Sequence, residues 1–346
     1  MVAGPRDQGR GYPAAMVHLR IVVPSDLAPK VLDLLDATPS VCNLVYLPGT
    51  ARRPPGDVIL CDIAREDASI VIDDLKELGV PRRGSISLEQ IDSQISDAAK
   101  AAERAARGLP SDAVVWEEVE ARTSETTELG GNFIAFMVLA CLIASVGIFT
   151  GSPILIIGAM VVGPEFGPLA GLCVAMVERR RGVALRSTAA LGVGFPFGIT
   201  AAFLFTLICV ATGLVDADFK SVDNPLTQFI ARPDAFSVIV ACLAGAAGML
   251  SLTSAKSGAL VGVLISVTTI PAAANIGVAA ALGNWADWRG AMAQLSINLT
   301  GIVLAGVGTL FLERWLYKRR RRRHLGDDSR AAAGLPGPEH GAPQGR

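Results

Sequence analysis

The chain is short of the residues that most chemistry needs. Its three histidines, His18, His324 and His340, are scattered, which leaves no His-based zinc site and no Ser/His catalytic arrangement. Of its six cysteines, none forms a Cys-x-x-Cys pair, and Cys141, Cys173, Cys209 and Cys242 lie inside apolar runs. They read as small buried hydrophobes, as do Cys42 and Cys61, so no metal or disulfide framework is expected. No cofactor and no enzymatic activity are expected either. Neither sign of charge dominates: 31 basic residues face 32 acidic ones, for a net charge of −1. Without a dominant basic face, no nucleic-acid partner is expected. The first 17 residues contain no apolar run, so no cleavable signal peptide is expected and the N-terminal part should be cytosolic.

Charge is also unevenly spread. Overall the chain is 51% hydrophobic and 18% charged, averages that suit a soluble enzyme. Residues 131–313, however, hold only 16 of the 63 charged residues. A polar part is joined to a very apolar one, which excludes a wholly soluble chain and a wholly disordered one.

The polar part alternates strand and helix signals. Residues 1–17 are expected to be disordered. His18–Val23 is a short apolar run stopped by Pro24, and Ser25 and Asp26 can cap a helix with Leu27, Val31, Leu32, Leu34 and Leu35 at helical spacing. Val41–Leu47 and Asp57–Ala64 are strand candidates separated by a segment rich in Pro and Gly. Arg65–Leu78 reads as a helix stopped by Gly79 and Pro81, and Ile86–Leu88 as a last strand. The order is βαββαβ, so 18–88 is expected to be a ferredoxin-like cytosolic α+β domain. By fold analogy alone it is either a ligand-sensing or oligomerising module, or a cap without a ligand. Residues 89–130 read as a helical connector. In it Trp116 either rests at the lipid interface or packs on the soluble domain.

The apolar part, 131–317, contains six stretches long enough for a hydrocarbon core of about 30 Å: 131–150, 153–177, 186–213, 235–254, 257–282 and 290–316. Six spans place three basic segments on one side: Arg179, Arg180 and Arg181; Lys256; and the run Lys318, Arg319, Arg320, Arg321, Arg322 and Arg323. The opposite loops, 214–234 and 283–289, are poorer in basic residues. The positive-inside rule then puts both termini in the cytoplasm, in the inner (plasma) membrane. The run at 318–323 is expected to anchor the topology and to touch anionic lipid, at about 1 kcal/mol per basic residue. Residues 318–346 are expected to form a basic, disordered tail.

Ala140, Cys141, Leu142 and Gly147 recur 101 residues later as Ala241, Cys242, Leu243 and Gly248. In both places they lie in the first span of a group of three. Three spans per half would insert the halves upside down relative to each other, the inverted repeat of many transporters. The second span carries Pro164 and Pro168, and the fifth carries Pro271. Proline removes a backbone donor and breaks or kinks a helix. Gly163, Gly167 and Gly171 recur every four residues, giving a small face for close helix packing. Between the two prolines lies Glu165, a carboxylate worth about 3 kcal/mol against insertion at mid-membrane. It should therefore face protein or water, or be protonated. Ser266, Thr268, Thr269 and Asn275 either bond the backbone freed at Pro271 or line a path with Glu165. Asn298 heads an Asn-Leu-Thr sequon inside the sixth span, where no glycosylation is expected.

Trp116-Glu117-Glu118-Val119-Glu120, then Ile157-Gly158-Ala159-Met160 followed by Pro164, Gly167-Pro168 and the Pro271 region, resemble the prokaryotic membrane family called domain of unknown function 389. The resemblance covers 112–317. Family members often carry a second proline where this chain has Ala272, which implies a milder break in the fifth span. The resemblance implies a polytopic membrane protein and brings no substrate.

The expected molecule is an α-helical membrane protein with six spans, a 3+3 inverted repeat and an N-terminal α+β domain. Its expected function is transport or conduction of a small solute or ion, gated or assembled by the cytosolic domain. The alternative is a membrane-anchored sensor or scaffold whose soluble domain binds a small ligand or a partner. Expected partners are the lipid bilayer, other copies of the chain in a homo-oligomer, and a small-molecule ligand of the cytosolic domain.

Overall fold

The computed structural model describes residues 16–91, 94–106, 114–126, 129–219, 233–254 and 261–336. The chain divides into two compact units, one of residues 1–118 with 315–346 and the other of residues 119–314.

In the first unit the expected element order is present. It runs β1 (Met16–Val23), α1 (Ala28–Asp36), β2 (Val41–Arg52), β3 (Pro55–Ala64), α2 (Arg65–Glu77), the short α3 (Val80–Arg83) and β4 (Ser85–Ile91). The strands form one antiparallel sheet in the order β2-β3-β1-β4. Alternation decides which face is covered. Val17, Leu19, Ile21 and Val23 of β1 and Ile59, Cys61 and Ile63 of β3 are buried, in one cluster with Val31, Leu34 and Leu35 of α1 and Val71, Ile72 and Leu75 of α2. Met16 and Ala64 fall on the other phase, and they cluster with Ala99, Ala102 and Ala106 at α4 (Asp97–Ala105).

The β2–β3 hairpin is longer than the sequence suggests. Pro48-Gly49 does not end β2; the strand continues across a register shift between Leu47 and Ala51. Gly49 sits at φ +63°, a conformation glycine adopts without strain. Its amide and the hydroxyls of Ser25 and Tyr46 all donate to Asp57, at 2.8, 2.8 and 2.7 Å. Those bonds hold the Asp57 carboxyl below its ordinary value, the Gly49 amide contributing most.

The expected disordered tail is corrected for the residues described. Lys318–His324 continue a helix that begins at Trp285, and α13 (Asp328–Ala332) follows. Ala333 enters the core of the first unit. Acidic residues on α2 supply the reason: Arg320 pairs with Asp67 at 3.3 Å, and Arg321 pairs with Asp74 and Glu77 at 2.8 Å each. Composition alone hides this, because a basic run looks solvated until its acidic partners are placed. Residues 1–15 and 337–346, and the Gly108-Leu109-Pro110 break, lie outside the described residues. Trp116 is buried in the first unit, edge-on to Tyr317 at 6.4 Å, and its amide donates to Ser69 Oγ at 3.0 Å.

The second unit is helical: α6 (Gly131–Thr150), α7 (Pro153–Val162), α8 (Phe166–Glu178), α9 (Arg181–Ala211), α10 (Ala235–Thr253), α11 (Val261–Ala281) and most of α12 (Trp285–His324). The remaining helix, α5 (Trp116–Thr126), bridges the sequence boundary between the units. Among the described residues four helices are long and apolar enough to cross a membrane, or five when the α7–α8 pair, bent by 54°, counts as one span. Their outward faces are apolar. Leu139, Ile154, Val161, Leu185, Ile208, Leu243 and Leu304 are all more than a third exposed, as suits helices embedded in a membrane. The inward faces are lined by small residues. A Cβ on Gly277 would stand 2.5 Å from the backbone oxygen of Ile199 in α9, so α9 and α11 meet backbone to backbone.

Pro271 does not interrupt α11, which is continuous from Val261 to Ala281. A single proline withdraws one donor, and a helix packed on its neighbours tolerates that loss. Ala272, buried at this point, adds no second withdrawal.

Candidate functional site

The second unit's break lies between α7 and α8. Gly163 caps the C-terminus of α7 and Glu165 the N-terminus of α8, with Pro164 between them. Pro164 fixes φ and cannot donate, so the α7 hydrogen-bond ladder stops there. Pro168 lies in the first turn of α8, where its missing N–H costs little. The expected break is therefore one turn wide and places the Glu165 side chain inside the unit.

Glu165 is fully buried. Thr269 Oγ1, from α11, donates to its Oε1 at 2.6 Å. Gly163 makes room for the carboxylate, because a Cβ there would stand 2.5 Å from Glu165 Oε2 and 2.8 Å from Ile270 Cγ1. Gly163 thus accommodates a side chain of its own segment as well as a neighbouring helix. Gly167 and Gly171 are buried on α8, which fits the small packing face expected of them.

Asn275 is also fully buried, and neither Oδ1 nor Nδ2 of its amide has a hydrogen-bond partner among the described residues. It lies six residues beyond Thr269, about 9 Å along the helix and roughly a third of a turn around it. No hydrogen bond joins it to Glu165 among the described residues. Ser266 and Thr268 belong to α11, but their side chains lie outside the described residues.

The basic residues divide. Arg179 ends α8 in the left-handed conformation at φ +57°. Arg180 makes a two-point pair with Glu120, one arm at 2.7 Å. Arg179, Arg180 and Arg181 are all exposed. Lys318 and Arg319 are exposed as well, Arg319 lying over the Trp315 ring at 4.5 Å, while Arg320 is the partner of Asp67. Lys256, Lys220 and Arg232 lie outside the described residues.

Sequence reasoning missed one cluster in the first unit and two polar pairs in the second. Within the first unit, Asp74 of α2 is fully buried, and it accepts from Arg321 at 2.8 Å, from His324 Nε2 at 2.7 Å, and from Arg330. Arg330, itself 2% exposed, also donates to Glu77 at 2.7 Å. Both ring nitrogens of His324 face carboxylate oxygens, Asp74 and, at 2.9 Å, Asp327, so the imidazolium satisfies both. Burial opposes that charge, but the two carboxylates outweigh it and raise the His324 pKa. In the second unit, Thr253 donates to Glu313 at 2.9 Å, and Gln294 donates to the buried Asn298 at 3.3 Å. The signal for the cluster was the recurrence of acidic residues at helical spacing on α2, Asp67, Asp74 and Glu77, with Asp73 beside them.

The model of the family described as domain of unknown function 389 matches residues 160–304. This is narrower than the 112–317 over which the motif resemblance runs, and it contains Glu165, Thr269 and Asn275. An uncharacterized protein of Methanocaldococcus jannaschii is 26% identical over 218 residues, which are 61% of this chain and 65% of that relative. The chain thus spans a little under two thirds of the relative's length. No solved structure matches the chain significantly. The family model agrees with the motif resemblance, and residues 160–304 are the part of the chain that is similar to domain of unknown function 389.

Proposed function

We propose that the chain is a six-span protein of the inner (plasma) membrane that moves a small solute or ion, with no catalytic role. In this reading α11 is the fifth span, the spans are arranged as a 3+3 inverted repeat, and both termini are cytoplasmic. The N-terminal βαββαβ unit is a ferredoxin-like module that gates or assembles the membrane part, and the protein works as a homo-oligomer.

The observation that carries the reading is Glu165. An acidic side chain is fully buried at a bend between two apolar helices and tied to Thr269 of a third. Natural spans keep such residues chiefly at ion or proton paths. Asn275 supports it, since a buried amide without partners among the described residues costs about 1–3 kcal/mol, which a polar solute passing it would offset. The bend at Gly163–Glu165 is the kind of discontinuity at which transporters place their sites.

The test is flux in proteoliposomes over panels of ions and small metabolites. Glu165→Gln keeps the volume and can still accept from Thr269. It is expected to lower flux at least about tenfold, the order of one lost charge-assisted interaction. Absence of flux in the parent protein across the panels refutes the reading.

A further inference from the structure

The first unit holds a cavity of about 690 Å³, within the range that small-molecule sites occupy. Its walls come from the loop after α1, from α2, and from the end of α12 with the turn that follows. One wall is apolar, with Pro39, Ile70, Val71 and Leu316. The other carries Arg319, Arg320 and Arg323. Arg320 is committed to Asp67. Arg319 and Arg323 are four residues apart, hence on one face of the helix. Among the described residues neither pairs with a carboxylate. Of the acidic residues lining the cavity, Asp67 is taken by Arg320 and Asp327 by His324, which leaves Asp328 against two arginines.

A second observation points to a ligand independently. Ser40 borders the cavity and is fully buried, and its Oγ has no hydrogen-bond partner among the described residues. Buried hydroxyls are nearly always bonded. A hydroxyl, two guanidinium forks and an apolar wall together match an oxyanion head on an apolar body, because guanidinium recognises phosphate or carboxylate through two parallel bonds.

We infer that this cavity is a binding site for a small amphipathic oxyanion, a phosphate or carboxylate head held by Arg319 and Arg323 with its body against Ile70, Val71 and Leu316. The site lies wholly within the first unit and does not rest on the transport reading.

The test is calorimetric titration of the full-length protein in a neutral detergent with phenyl phosphate and with inorganic phosphate. Phenyl phosphate should bind about tenfold more tightly, because its ring buries apolar area. The double substitution Arg319→Ala with Arg323→Ala should weaken it at least about tenfold, and Ser40→Ala by a smaller factor. Arg322 is exposed in the same basic run but does not line the cavity, so Arg322→Ala should leave the affinity unchanged. All three arginines are exposed, and an unchanged melting temperature verifies that the variants fold. Repeating the titration in nanodiscs separates two sources of the head. Competition in phosphatidylglycerol discs but not in phosphatidylcholine discs assigns it to a lipid headgroup, and equal binding in both assigns it to a soluble molecule. Equal loss with Arg322→Ala, or no binding of phenyl phosphate at millimolar concentration, overturns the inference.

Discussion

Asp74 shows how much one buried carboxylate can organise. It is fully buried and holds Arg321, His324 and the nearly buried Arg330. Removing it strands a buried guanidinium, so Asp74→Ala is expected to destabilise the first unit by about 3–5 kcal/mol. Cys61 reports this: it is buried in the same unit, with a thiol pushed up to about 12 by desolvation, and it should alkylate only on opening. Mass-spectrometric alkylation against urea should show Cys61 reacting at much lower urea in the variant. The exposed Arg83–Asp26 pair is a contrast, because solvent screens it and its loss should barely register. His324 adds a pH dependence. Its folded pKa is raised, so its stabilisation is complete below the unfolded value of about 6.5 and is lost as pH rises through the folded value. The melting-temperature advantage of the parent over His324→Gln should therefore be larger at pH 6 than at alkaline pH. An advantage that grows with pH contradicts the charged pairing with Asp74 and Asp327.

At the scale of elements, close approach decides which glycines matter. A Cβ at Gly277 would meet the Ile199 backbone oxygen, and one at Gly163 would meet Glu165 and Ile270, while Gly158 has open space around it. Gly277→Ala and Gly163→Ala should each cost about 1–3 kcal/mol in mixed-micelle unfolding, and Gly158→Ala close to nothing. The helix periods and Pro-Gly stops made the βαββαβ order and the apolar helices readable from sequence, because both signals are local. The break at Pro164 was readable for the same reason. What was not readable depends on partners distant in sequence. Pro271 stays helical because its neighbours support it, β2 runs past Pro48-Gly49 because Asp57 anchors the bulge, and residues 318–324 are ordered by acids on α2. Glu165 could be singled out as the central acidic residue and Thr269 named as one of the residues lining a path with it, but the choice of Thr269 for the direct bond across 104 positions could not be read.

For the whole molecule, the uneven charge of the sequence corresponds to two units of different chemistry. One has an α+β core with dense ion pairing. The other is a helical body whose outward surface is apolar and whose interior, among the described residues, holds very few ionisable groups. The proposed function depends on whether water enters the second unit near Glu165. The direct measurement is cysteine accessibility at Asn275, in a background with the six native cysteines replaced, using a membrane-impermeant methanethiosulfonate on sealed vesicles of either orientation. A path past Glu165 predicts that Asn275→Cys is labelled from at least one side, while Met137→Cys, in the apolar core, stays unlabelled. No labelling at position 275 from either side in folded protein would contradict the path and leave the Glu165–Thr269 pair a structural contact.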